Sequence, residues 1–195
     1  MNPDDIARYL RTHPSFFDQH PDLLASIAVP HPYGGRAIPL AELLQFGEEN
    51  DAISEKVHRL SVALAGAKDF PALAASLYFH LREDFAVPHV ALRVWGKSVP
   101  ADFDEAQPVD EAQRLHAGDM GAPHCGPAAG NPFVPWFKEA AEHVRSVALV
   151  PLGQTAVFGL LALGSEDPKR FYPDMGTLYL RRIGELCAAG VTARL

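Results

Sequence analysis

The fold is decided by residues 146–195, which read SVALVPLGQTAVFGLLALGSEDPKRFYPDMGTLYLRRIGELCAAGVTARL. Two apolar runs, 147–152 and 157–163, have the length of strands and are separated by a short turn-like segment. A break rich in turn residues follows, and then comes a helical pattern whose apolar positions share one stripe. The stretch therefore predicts a hairpin covered by a helix, which is the core of an α+β domain.

A further strand and two further helices are predicted upstream of this stretch. Residues 89–95 alternate with the period of two that a strand shows when one of its faces lies in a core. Pro71 opens a helix over 71–85, where leucines recur at helical spacing, and a short helix is predicted near 109–117. These elements predict an antiparallel sheet flanked by helices.

Residues 40–68 carry the longest helical pattern in the chain. Its apolar positions step by three and four residues, and a heptad pattern held over three heptads favours a parallel coiled coil between two copies. Asn50 lies in the stripe, and an asparagine there commonly fixes register and oligomer number. The alternative is that the stripe packs on its own domain, as in any amphipathic helix. The predicted dimer interface comprises Leu43, Phe46, Asn50, Ile53, Val57, Leu60 and Leu64.

The N-terminal residues are predicted to form a small helical cap. Short helical pieces are separated by His-Pro pairs, and proline suits a first helical turn because its missing N–H has no partner there. His13, His20 and His31 lack the i, i+4 or cysteine-partnered spacing of zinc ligands, so no metal site is predicted. The predicted divisions are a cap (1–38), a long dimerisation helix (39–69) and a main domain (70–195).

Composition and charge disfavour several classes of partner. The 195 residues include 24 acidic and 17 basic side chains, and the net charge of −7 disfavours direct binding to nucleic acid. No apolar run reaches the ~18 residues of a membrane span, and the N-terminus lacks a signal-peptide pattern. Cys125 and Cys187 have no metal-ligand spacing and suit a reducing compartment. A cytoplasmic protein without membrane or nucleic-acid partners is therefore expected.

Sequence motifs of enzymes and of nucleotide-binding sites are absent from the chain. It has no G-x-x-x-x-G-K-[ST] or G-x-G-x-x-G phosphate loop, no G-x-S-x-G motif and no H-E-x-x-H motif. His124 and Cys125 are adjacent, and adjacent side chains on a strand point to opposite faces, so they make a poor catalytic pair. The protein is therefore predicted not to be an enzyme, and no cofactor is predicted.

Five blocks of sequence are distinctive in their residues and spacing. The N-terminal blocks are Y-L-x-x-H-P-x-F-F-x-x-H-P-x-L-L and V-P-H-P-x-G-G-x-A-I-P-L. In the last third, S-V-A-L-V-P-L, G-L-L-A-L-G-S-x-D and D-M-G-T-L-Y-L-R-R-I-G look like the closing half of a GAF domain. Together the blocks resemble the bacterial DUF484 family, whose biochemical role is unassigned, and the resemblance covers nearly the whole chain. It implies a GAF-like sheet that is preceded by the long helix and the cap.

The resemblance also implies a place for a ligand. GAF-like folds bind small molecules between the sheet and a variable middle segment, where aromatic side chains would line a cavity and arginine or histidine would anchor a ligand. The alternative is that the aromatics fill this space as core, since aromatic residues in a small domain are usually packing residues. The candidate pocket residues are Arg93, Trp95, His116, His124, Phe133 and Trp136.

Three functions remain open at this point. The resemblance and the missing catalytic motifs favour a non-enzymatic, dimeric GAF-like module that senses or binds a small ligand or a protein partner. A first alternative is an adaptor for a DNA-processing enzyme such as a tyrosine recombinase, because genes for such an enzyme often neighbour those of the family. A second alternative is a cryptic enzyme that uses the histidines and the cysteine of the middle loop.

Overall fold

The computed structural model describes residues 2–29, 38–96, 99–153 and 155–195. The chain divides into two compact units, Met1–Ser54 and Glu55–Leu195. Helix α4 (Leu40–Gly66) contributes residues to both units. None of the helices in the described ranges has the length and apolar content that a membrane span requires.

The N-terminal unit contains short helices and a two-stranded pairing. Helix α1 begins with a capping box. The Asn2 side chain accepts a hydrogen bond from the backbone N–H of Asp4, and the Asp5 carboxylate accepts one from the backbone N–H of Asn2. β1 and β2 pair in antiparallel orientation. The elements before α4 are α1 (Pro3–Thr12), α2 (Phe16–Gln19), α3 (Pro21–Ser26), β1 (Ala28–Val29) and β2 (Ile38–Pro39).

Two of the N-terminal histidines pack against aromatic rings. The His13 ring stacks on Tyr9 at a centroid distance of 4.4 Å, and its Nδ1 lies 3.1 Å from the Tyr9 carbonyl oxygen. The His20 ring lies 4.7 Å from that of Phe16. These contacts give both side chains a structural role. His31 lies outside the described residues.

The main unit is built on one antiparallel sheet in the strand order β3-β6-β5-β4. β5 and β6 form the predicted hairpin, with Leu152 paired to Gly159. Val157 and Phe158, predicted to open the second strand, lie in the connection instead. The elements after α4 are α5 (Phe70–Glu83), β3 (His89–Val94), α6 (Glu111–Asp119), β4 (His124–Pro127), β5 (Ser146–Leu152), β6 (Gly159–Ser165) and α7 (Leu178–Thr192), with 3-10 helices at Asp104–Ala106 and Val134–Glu142.

Helices cover one face of this sheet, and the middle of the chain covers the other. Leu92 and Leu161 face a core that α5, α7 and the end of α4 complete. Leu149 and Leu160 face a second core, to which Phe133 contributes. All 7 residues of β6 are buried, which explains why its sequence is a continuous apolar run rather than an alternating one. The predicted α+β class, an antiparallel sheet flanked by helices, is confirmed.

Two glycines let α7 lie close to its neighbours. A Cβ atom at Gly184 would stand 2.5 Å from Cγ1 of Val150 on β5, and one at Gly190 would stand 2.5 Å from Cδ1 of Leu73 on α5. A side chain at either position would force packed elements apart, because a close-packed interior has no room for an extra methyl group. The small residues of α7 therefore set its distance from the sheet.

The C-terminal end of α4 belongs to the core of the main unit. Leu60 and Leu64 are 0% and 3% exposed in the single chain, and Val57 packs against the same cluster. The Arg194 side chain caps the C-terminus of α4. Its Nη2 donates to the Leu64 carbonyl oxygen (2.8 Å) and its Nε to that of Ala67 (3.0 Å). At this end of α4 the apolar stripe therefore packs on its own domain.

The predicted dimer interface is therefore wrong for Leu60 and Leu64, because their side chains are already removed from solvent within one copy. A stripe at spacings of three and four residues serves a coiled coil and a domain core equally well, which is why the sequence pattern did not separate them. At the other end of the helix, Leu43 and Phe46 are 39% and 44% exposed. A dimer interface through Leu43 and Phe46 remains a prediction.

Candidate functional site

The aromatic residues of the middle segment fill part of the space beside the sheet. Phe133 is 0% exposed. Its ring meets that of Trp136 edge to face at 5.0 Å and that of His116 at 5.4 Å. Phe137 is buried in the same cluster. Protein side chains therefore occupy the centre of this face.

Among the predicted pocket residues, Arg93 and Trp136 line one cleft beside β3. Trp95 lies at a separate depression of about 280 Å³, where its Nε1 donates to the Val157 carbonyl oxygen at 3.1 Å. Phe133 is core rather than lining. The structure therefore brings two of the six predicted residues together around one opening.

The histidines of the middle segment form no reactive pair with the cysteine. On β4, His124 is exposed, whereas Cys125 is 1% exposed and lies in the core on the helical face of the sheet. Burial raises the pKa of the Cys125 thiol and so disfavours the nucleophilic thiolate. His116 is exposed on α6 beside Phe133. Complete burial likewise raises the pKa of Cys187 to about 12.

A polar cleft of about 530 Å³, named here the Arg93 cleft, opens where α5, β3 and the two 3-10 helices meet. Its volume falls within the range of sites that hold small molecules. Strand alternation places Ala91 and Arg93 on the sheet face onto which the cleft opens, opposite Leu92. The charged and aromatic lining residues are Tyr78, Arg82, His89, Arg93, Asp104, Glu105, Trp136, Phe137, Lys138 and Glu139.

Arg93 brings a buried positive charge to this cleft, since it is 7% exposed. Its guanidinium lies over the Trp136 ring at 5.5 Å, and its Nη1 donates to the Leu92 carbonyl oxygen at 3.0 Å. Within the described part of the chain, no carboxylate oxygen comes within 4.0 Å of its nitrogens. Because a guanidinium carries five N–H donors, Arg93 keeps donor capacity for an occupant of the cleft.

Glu105 brings a buried negative charge to the same cleft, and sequence reasoning missed it. It is 5% exposed and accepts a 2.5 Å hydrogen bond from the Tyr78 hydroxyl. Burial, together with the hydrogen bond to Glu105 and the charge of that residue, raises the pKa of Tyr78 above its usual value. The tyrosine therefore keeps its proton and acts as a donor. The two residues are 27 apart in sequence, and no periodic pattern marks Glu105.

An ion pair joins the two 3-10 helices at the edge of the cleft. The Lys138 Nζ lies 2.5 Å from Oδ2 of Asp104, and the hydrogen bond from Lys138 holds the pKa of Asp104 below its usual value. The backbone of Lys138 has φ 55° and ψ −126°, a left-handed conformation that is strained for a residue with a side chain. Backbone strain of this kind is concentrated at ligand clamps and active sites.

A larger depression of about 740 Å³ lies between α7, the connection from α6 to β4 and the connection from β5 to β6. Its surface is built mainly from glycine, alanine and other small residues. Its charged lining residues, Arg181 and Glu185, are both exposed to solvent. The Arg93 cleft has the more specific chemistry, because two of its charged lining residues, Arg93 and Glu105, are buried.

Comparison with known proteins supports the same architecture. The structure is similar to the crystal structure of the A. aeolicus nlh2 GAF domain in an inactive state, with a TM-score of 0.53 and 15% identity over 75% of this chain and 99% of that chain. The fold is therefore GAF-like, as the sequence resemblance implied.

The sequence also has relatives over most of its length. The uncharacterized protein YigA of Salmonella typhimurium is 22% identical over 204 residues, which cover 91% of this chain and 86% of the relative. The family model described as "protein of unknown function, DUF484" matches residues 1–43 and 37–192. Because that model spans nearly the whole sequence, this chain belongs to the DUF484 family.

Proposed function

We propose that this protein is a non-enzymatic, dimeric GAF-like module that senses a small ligand bound in the Arg93 cleft. One observation carries the proposal: the Arg93 guanidinium is buried, and within the described residues no carboxylate lies within 4.0 Å of it. A buried guanidinium without a carboxylate in contact costs free energy, which the Leu92 carbonyl oxygen and the Trp136 ring offset only in part. A ligand that supplies the missing negative charge recovers that cost on binding.

Other features of the cleft support a binding role. Trp136 and Phe137 give it apolar surface, while the polar groups of Tyr78, Arg93 and Glu105 line the same opening. Ligand sites combine apolar walls with a few placed polar groups in this way. The non-enzymatic part of the proposal rests on the middle segment, whose cysteine is buried away from its neighbouring histidine.

The dimeric part of the proposal rests on the first turns of α4. Leu43 and Phe46 expose 39% and 44% of their surface in the single chain. Asn50 follows them at heptad spacing and suits a symmetric contact between two copies. Full burial of a large apolar side chain is worth about 1.5–3 kcal/mol, and the exposed part of Leu43 and of Phe46 accounts for somewhat under half of that.

We expect the double substitution Leu43→Glu and Phe46→Glu to give a monomer at concentrations where the unmodified protein sediments as a dimer. Like charges would then face each other across the seam, and the apolar burial would be lost. Sedimentation velocity measures the mass, and circular dichroism checks that helix content is kept. Leu115→Glu, at a residue 62% exposed on α6, is the matched control and should leave the mass unchanged. A monomeric unmodified protein would contradict the dimer proposal.

The ligand proposal is tested with a library of small carboxylates, amines, sugars and nucleosides, read out by the shift in thermal unfolding. We expect at least one negatively charged compound to stabilise the full chain, and Arg93→Met to abolish that stabilisation while keeping the side-chain stem. Arg181→Met, which removes an exposed arginine outside the cleft, should leave the shift unchanged. If no compound depends on Arg93, the cleft is not a ligand site for these classes and the proposal fails.

A further inference from the structure

The Arg93 cleft holds two buried charges of opposite sign that do not pair with each other. Arg93 and Glu105 are 7% and 5% exposed and line the same opening. Their side chains form no ion pair within 4.0 Å. The carboxylate is held by Tyr78 and the guanidinium by the Leu92 carbonyl oxygen and the Trp136 ring. The two charged groups therefore have different partners and lie more than 4.0 Å apart.

This arrangement is complementary to a molecule that carries both charges. Burying either charge alone is costly, and direct pairing offsets the cost only where the geometry is favourable. Here the gap between the two groups leaves each of them with unused hydrogen-bonding capacity: N–H donors on the guanidinium and a second oxygen on the carboxylate. A ligand with a carboxylate at one end and an ammonium group at the other would satisfy both groups at once.

We infer that the Arg93 cleft binds a small zwitterion of the amino-acid class, with its carboxylate on the Arg93 guanidinium and its ammonium group on Glu105. This inference rests on the proposed ligand-binding role of the cleft. Arginine suits the carboxylate because its planar fork matches two oxygens at once. The Tyr78 hydroxyl holds the Glu105 carboxylate in place.

The charges around the cleft disfavour a polyanion such as a nucleotide. Lys138 is already paired with Asp104, and Glu139 lies on the same rim. The three cationic side chains of the lining (Arg82, Arg93 and Lys138) are matched by three carboxylates (Asp104, Glu105 and Glu139), so a second or third negative charge on a ligand gains no net attraction there. The Trp136 and Phe137 side chains leave apolar surface for the remainder of the ligand. A single carboxylate with an adjacent ammonium group fits this balance.

The test uses isothermal titration of the full chain with the twenty amino acids, and then with three analogues of the best binder. These are its deaminated carboxylic acid, its decarboxylated amine and its N-acetyl derivative. We expect the amino acid to bind at least about tenfold more tightly than each analogue, since each analogue leaves one buried charge unsatisfied. Inorganic phosphate is the control anion and should not bind measurably.

Variants of the two charged residues show whether the same site is responsible. Arg93→Met and Glu105→Gln should each weaken binding about tenfold or more, while Arg181→Met should not change it. Circular dichroism confirms folding, and Arg93→Lys and Tyr78→Phe serve as milder variants if either substitution unfolds the protein. Amino-acid binding that is unchanged in Arg93→Met and in Glu105→Gln would overturn the inference.

The outcomes separate this inference from the proposed function. If the deaminated acid binds as tightly as the amino acid and still needs Arg93, the cleft is a carboxylate site and the zwitterion inference is overturned, while the ligand-binding proposal stands. If no compound binds in an Arg93-dependent way, both are overturned. Tight binding that needs Arg93, Glu105 and both ends of the ligand supports the two together.

Discussion

Replacing Leu60 by glutamate is expected to leave most of the protein unfolded at room temperature. Leu60 is 0% exposed, and its side chain lies in the core that α4 completes with α5 and α7. Truncating such a leucine to alanine costs about 2–5 kcal/mol, and a buried carboxylate adds a desolvation cost. Domains of this size are stable by only about 5–15 kcal/mol. The loss therefore approaches the whole free energy of unfolding.

Urea denaturation followed by circular dichroism measures this effect. Val62→Glu is the matched control, because Val62 lies two positions along the same helix and is 59% exposed. We expect Val62→Glu to change the free energy of unfolding by less than about 0.5 kcal/mol. If Leu60→Glu instead stays folded and only halves the mass in sedimentation, Leu60 faces a second copy and its burial within one chain is not the state in solution.

Replacing Phe133 by alanine is expected to lower the free energy of unfolding by about 3–5 kcal/mol, the usual cost of truncating a buried phenylalanine. Phe133 is 0% exposed and contacts the rings of Trp136 and His116. The loss combines apolar burial, the edge-to-face contacts and the cavity left behind. Thermal and urea unfolding both measure it.

Phe79→Ala serves as the control for this substitution, since Phe79 is 60% exposed on α5. It should change the free energy of unfolding by less than about 0.5 kcal/mol. A loss of similar size at the two positions would show that Phe133 contributes no more than a surface residue. The face of the sheet that it covers would then be open to a ligand rather than filled.

The hairpin and its covering helix could be predicted because the sequence signals that specify them lie within one continuous stretch of the chain. Two short apolar runs around a turn specify antiparallel strands, and a stripe at helical spacing specifies the helix that covers them. The continuous apolar character of β6 follows from burial on both faces, which its central place in the sheet imposes. The family resemblance added the GAF-like topology to this local reading.

The partner of the long helix α4 was harder to predict, because the same apolar spacing fits a coiled coil between two copies and packing within one domain. The spacing of Val57, Leu60 and Leu64 specifies an apolar face but not what covers it. In the structure α5 and α7 cover it, and the close approach of these two helices depends on Gly190 and Leu73. The contact between Gly190 and Leu73 joins distant parts of the chain, so no local sequence pattern predicts it.

The candidate site was predicted in part for a related reason. The alternation of β3 places Arg93 on the opposite face from Leu92 and Val94, which made it visible as a polar residue facing the middle segment. Glu105 lies in a short 3-10 helix without hydrophobic periodicity, and its importance depends on Tyr78, 27 residues away. Only the folded chain brings Tyr78, Arg93 and Glu105 to one cleft.

Both edges of the four-stranded sheet are poor templates for an additional strand. β4, at one edge, has 4 residues and ends at Pro127, which has no N–H to offer an incoming strand. At the other edge, β3 lies beside the 3-10 helix Asp104–Ala106. Short, proline-bearing or covered edges resist strand-to-strand aggregation. Extension of the sheet by a strand from another molecule is therefore disfavoured at both edges, which lowers the tendency of the folded protein to form fibrils.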